Sequence, residues 1–181
     1  WSSDVCSSDL ELPRTDPFTF TQGGQAYTYG FWFSAGVLAV AQVWGGLPLV
    51  ALGNALAFTA AYGLLMRAAS TVAGGTVRLA ALATLVGYLA GVQNWAVRPH
   101  TFSVLFVAAS LLVLVRYRTG HASARWLAAV VVIGVLWANS HGAFLLGPVL
   151  VAAVAVGCLL DRWLRREPGV AVVPLLVTLV A

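Results

Sequence analysis

The sequence contains no lysine, a single methionine and only two cysteines, and charged residues make up 9% of its 181 positions. Soluble domains carry about 25% charged residues. A chain this poor in charge cannot cover itself with polar surface, so a water-soluble globule is excluded for most of its length. Cysteines as sparse as Cys6 and Cys158 exclude a disulfide framework and a CxxC centre. No Walker loop, nucleophile elbow or HExxH run is present either. The net charge of +4 comes entirely from arginine. Those arginines stand in short groups between apolar runs, which is not the patch that nucleic acid requires.

What is abundant is apolar surface: 60% hydrophobic residues, with a mean hydropathy of +0.89. Leu, Ala and Val run together without the alternation of a membrane barrel. The expectation is therefore an all-α polytopic transmembrane helix bundle whose solvent is lipid. Leu47–Met66 is long enough to cross the hydrocarbon core. Val77–Trp95, a short Thr101–Val115, a short Trp126–Ala138 continuing through Asn139–His141, and Gly142–Leu160 read as further spans. Val170–Ala181 reads as the start of a sixth. Tyr27–Gly46 carries Tyr27, Tyr29, Trp32 and Trp44, aromatics that suit headgroup depth. It reads as an interfacial helix closed by Gly45-Gly46. Glu11–Thr28 reads as a loop, since Pro13, Pro17 and Gly23-Gly24 prevent a long helix.

Charge orients the bundle. Arg67, Arg78, Arg116, Arg118, Arg125, Arg162, Arg165 and Arg166 fall in one set of loops, and only Arg14 and Arg98 in the other. The positive-inside rule makes the first set cytoplasmic. Residues 11–28, 93–100 and 139–142 are then extracytoplasmic, and the expected location is the cell (inner) membrane.

Trp1–Leu10, WSSDVCSSDL, is a polar start unlike anything that follows. It matches the translation of a short-read sequencing adapter through all ten residues. It is expected to be an assembly artefact, with the partial membrane domain occupying 11–181. On that reading a first span precedes Glu11, and the chain is a piece cut at both ends.

Three polar clusters interrupt the apolar pattern, all on the outer side. They are Arg14-Thr15-Asp16, Asn94-Trp95-Ala96-Val97-Arg98-Pro99-His100, and Trp137-Ala138-Asn139-Ser140-His141-Gly142. Polar groups near membrane depth are costly and gather where a cavity or partner receives them. Arg98 offers a bidentate fork for phosphate oxygens. His100 or His141 can hydrogen-bond a leaving phosphate or move a proton. Asn139 can orient a hydroxyl, Asp16 can act as a general base, and Trp95 or Trp137 can stack on a sugar face. Each has a structural alternative. Arg98 can snorkel to headgroups, the histidines can bond at helix ends, Trp137 can anchor at the interface, and Asp16 can start a turn before Pro17. Asn54 reads as glue between helices. The two histidines and the aspartate lack the ligand spacing of a metal site.

The order PRTDPFTFTQGG, an aromatic amphipathic stretch ending in Gly-Gly, AVRPHTFS, and LWANSHGAFLLG resembles bacterial polytopic proteins of the GT-C glycosyltransferase superfamily, near the family 39-like protein mannosyltransferases. The similarity covers most of Leu12–Trp163, and RPH and WANSHG are its specific pieces. It implies a multi-span enzyme that takes a sugar from a polyprenyl-phosphate donor at an extracytoplasmic site built partly on the first outer loop. On this resemblance Asp16 and His141 are the catalytic candidates. Arg98, His100, Asn139 and Trp137 are the substrate-binding candidates, with the lipid-linked sugar as substrate and no cofactor assigned. Two departures stand out. Relatives often carry a His-Glu pair before the tryptophan of the interfacial helix, where this chain has Gly30 and Phe31. The superfamily's catalytic carboxylate usually follows a first span, which here would lie before Glu11. The competing class is a non-enzymatic membrane protein, a lipid-binding or transport component. The paired broken helices of many transporters are not seen.

Overall fold

The computed structural model describes residues 23–26, 31–91, 96–165 and 171–180. Within them the chain is helical, with no strand: α1 (Trp32–Val72), α2 (Val77–Gly91), α3 (His100–Arg118), α4 (Leu127–Ala138), α5 (Leu146–Arg165) and α6 (Val173–Val180). Short 3-10 turns at Ala124–Trp126 and Gly142–Leu145 lead into α4 and α5. The expected all-α bundle is what forms. Helices α1, α3 and the stretch Gly142–Leu164 are long and apolar enough to cross a membrane, while α2 and Ala124–Ala138 are shorter apolar helices.

Helix α1 is two helices joined at a bend. Gly46 holds φ 61° and ψ −161°, and Pro48 follows it. That backbone region is open in practice only to glycine. A straight helix of 41 residues would measure about 61 Å, twice a hydrocarbon core. Phe33 and Asn54 would stand about 31 Å apart on such a rod. Instead Phe33 meets the ring of Phe102 at 6.3 Å, and Asn54 bonds the neighbouring Thr101. The two arms therefore converge on the first turn of α3. The break falls where Gly45-Gly46 marks the end of the aromatic stretch, so that boundary was readable beforehand.

Helix α3 is the centre, packed on α1, α4 and α5. It opens at Pro99, whose fixed φ suits a helix start. It closes in a Schellman turn: His121 N–H bonds Arg116 C=O at 2.8 Å, Gly120 N–H bonds Tyr117 C=O at 3.1 Å, and Gly120 takes φ 75°. Leu114, Tyr117, Leu127, Val130, Val151, Ala155, Cys158, Val172 and Leu175 form the buried core between α3, α4, α5 and α6. Around it the surface is strongly apolar, with Trp44, Leu47, Val86, Leu89 and Trp163 all exposed. Such a surface needs lipid, not water, against it.

Several helices run past the ends read from the sequence, α1 to Val72, α3 to Arg118 and α5 to Arg165, and one stops short. The fourth helix stops at Ala138 rather than running through His141. Asn139 and Ser140 turn their side chains back onto the carbonyls of Val135 and Leu136, and His141 is extended. Short polar side chains that compete for the backbone end helices in this way.

Candidate functional site

The start of α1, the start of α3 and the end of α4 meet at one end of the bundle. There the RPH and WANSHG stretches sit within reach of the same turn of α3. Two adjacent groups of polar side chains result.

The first group is built on the end of α4. Trp137 is fully buried and its Nε1–H donates to Ser103 Oγ at 2.8 Å. Ser103 Oγ lies 3.0 Å from His141 Nδ1, and Ala143 N–H donates to the same nitrogen at 3.3 Å. Because Ala143 N–H donates to Nδ1, that nitrogen is an acceptor, and Ser103 gives its proton to it while accepting from Trp137. Neutral His141 therefore carries its proton on Nε2. Asn139 Oδ1 accepts from Trp32 Nε1 at 2.7 Å, and Asn139 C=O accepts from Phe33 N–H at 3.0 Å. Ser34, fully buried, donates to the carbonyl of Ser140 at 2.7 Å. The first turn of α1 is thus fastened to the α4–α5 turn by side chains and backbone together, with Phe31 lying against the His141 ring at 6.1 Å.

The second group lies beside it, between the arms of α1. A cavity of about 120 Å³ is walled by apolar residues such as Val37, Leu38 and Leu49, and carries Arg98, Asn54 and Thr101 on its lining. Thr101 Oγ1 donates to Asn54 Oδ1 at 2.7 Å. Asn54 is the glue between helices that its position in an apolar run suggests. Arg98 is exposed, and its backbone carbonyl caps α3 by accepting from Thr101 N–H at 3.1 Å. An arginine beside small polar groups, at the mouth of an apolar cleft, suits an anionic head on an apolar tail.

Each expected residue can now be located. Arg98, His100, Asn139 and His141 stand at this end, His100 as the first residue of α3. Trp137 requires a correction. With 0% of its surface exposed, it has no face open to a sugar and no place at the lipid interface, and it packs against Phe106 and Gly147 instead. Asn139 has its Oδ1 and one amide proton engaged by Trp32 and Val135. Asp16 and Trp95 lie outside the described residues. No group of three metal-ligating side chains occurs among the described residues.

Sequence reasoning passed over Ser34, Ser103 and Trp32 as partners. The available signal was a serine in the first turn of each of two apolar helices, where lipid offers no hydrogen-bond partner and another helix must. Comparison with protein-family profiles, with curated proteins and with solved structures gives no match.

Proposed function

We propose that the protein is an integral membrane glycosyltransferase of the GT-C type, moving a sugar from a polyprenyl-phosphate donor to an acceptor on the outer face of the cell membrane. The observation that carries this reading is the convergence of the RPH and WANSHG stretches on one turn of α3, next to an amphiphilic cleft. The motifs themselves supply the resemblance, and their meeting supports reading them as one site.

In the mechanism, a base removes the proton of the acceptor hydroxyl, which attacks the anomeric carbon with inversion. The bond to the lipid phosphate breaks and the phosphate leaves with the electron pair. Arg98 binds the departing phosphate oxygens with its fork. His141 contributes Nε2–H, the proton left free by its Nδ1 partners, as a second donor. The apolar walls of the cleft receive the first part of the prenyl chain. Asp16 is this chain's candidate for that base.

The test uses the protein in proteoliposomes with a radiolabelled polyprenyl-phosphate sugar. Arg98→Ala and His141→Ala are expected to lower transfer by about a hundredfold, the scale of losing one charge-stabilising donor, with membrane insertion unchanged. Normal turnover in both variants removes the site. Donor binding without any transfer in the wild type returns the protein to the lipid-binding class.

A further inference from the structure

The opposite end of the bundle carries a site that the transfer reaction does not use. Where α3 ends, a cavity of about 190 Å³ is lined by Leu112, Val113, Arg116, His121, Ala122 and Trp126. We infer that this cavity binds the anionic phosphate headgroup of a membrane lipid, with Arg116 and His121 as its ligands.

The geometry is set by the Schellman turn. Arg116 accepts from the N–H groups of both His121 and Ala122, at 2.8 and 3.0 Å, which folds the chain back over the last turn of α3 and seats His121 beside Arg116. The histidine ring is then aimed by Thr119. Thr119 Oγ1 donates to Val115 C=O at 2.9 Å, so its oxygen accepts from His121 Nδ1–H at 2.9 Å. On the protonated ring both nitrogens donate, Nδ1–H to Thr119 and Nε2–H to an anion, and it is in this form that His121 serves as a ligand.

Depth and charge select the ligand. Helix α3 has 19 residues, about 28 Å, close to the thickness of the hydrocarbon core. Arg116, in its last turn, therefore stands at headgroup level. Leu112 and Val113 lie one turn deeper on the same face, and Trp126 is exposed at the rim as interfacial tryptophans are. Charge complementarity points to an anion. Asp161 is the only acidic side chain among the described residues, and it is held by Arg118 at 2.7 Å. Arg116 has no carboxylate partner among the described residues, and Arg125 adds a further positive charge in the adjoining turn. A cation in a cleft that is apolar toward the membrane and cationic at headgroup depth fits a lipid phosphate better than a free ion, because the lipid fills both halves.

The test is native mass spectrometry of the purified chain in detergent, titrated with phosphatidylglycerol or phosphatidylcholine. Wild-type protein is expected to retain phosphatidylglycerol preferentially. Arg116→Gln should weaken that binding by about tenfold, as for loss of a charge-assisted hydrogen-bonded pair, and His121→Gln by a smaller factor. Arg67→Gln, an equal loss of charge elsewhere at the same end, should leave it unchanged. Equal weakening by Arg116→Gln and Arg67→Gln overturns the site in favour of diffuse attraction. Displacement of the lipid by an equal concentration of inorganic phosphate reassigns the cavity to the free ion. A change of oligomeric state in Arg116→Gln with lipid retention intact reassigns it to a protein contact.

Discussion

Ser103 is the residue on which the motif end depends. It accepts from a buried indole and donates to a histidine that in turn caps the next turn. Ser103→Ala leaves the Trp137 N–H buried without an acceptor, and stability should fall by about 1–3 kcal/mol. Trp137→Phe removes the donor as well, so the double variant should lose less than the sum of the two single losses. Unfolding in mixed micelles measures both. If the two losses simply add, the hydrogen bond contributes nothing to stability. The sequence exposed Trp137 and His141 as polar intrusions in an apolar run. It could not show that their partner is a serine on a different helix, because a side-chain pair between helices leaves no trace in local spacing. The same gap explains why Trp137 read as a sugar platform or an interface anchor: tryptophan at a helix end is often interfacial, and only packing reveals the fully enclosed one.

At the scale of the element, the bend in α1 decides where the cleft can exist. Gly46→Ala puts a Cβ on a backbone that only glycine adopts readily, a strain of about 1–3 kcal/mol. Relief comes by straightening. Spin labels at the exposed positions Val40 and Leu52 should therefore move apart in this variant, and the arm that carries Phe31 and Trp32 should leave Asn139. An unchanged distance means that packing alone holds the bend. Gly45-Gly46 announced this break in the sequence, because glycine acts on its own backbone. The end of α4 was harder to read. Asn139 and Ser140 are permitted in helices, and only their turning back onto Val135 and Leu136 stops the chain there. Helix existence was legible from hydropathy, while helix ends depended on which local bond a polar side chain chose.

For the whole molecule, the arginine pattern predicts the orientation. Ser123 and Gly142 are exposed at opposite ends of α4. Ser123→Cys and Gly142→Cys should react with a membrane-impermeant maleimide from opposite faces, Gly142→Cys from the outside. Reaction of both from one face rules out a crossing by α4. The scarcity of acids has a further consequence in electrical terms. In a membrane held negative on the arginine side, moving one elementary charge across takes about 2.3 kcal/mol per 100 mV. Arg67, Arg78, Arg116 and Arg125 have no carboxylate partner among the described residues to travel with them, since the only described acid, Asp161, is engaged by Arg118. Inverting the bundle would drag every one of those charges uphill together. With the arginine side as the negative one, the voltage opposes inversion, and a single orientation is the outcome expected in the maleimide test.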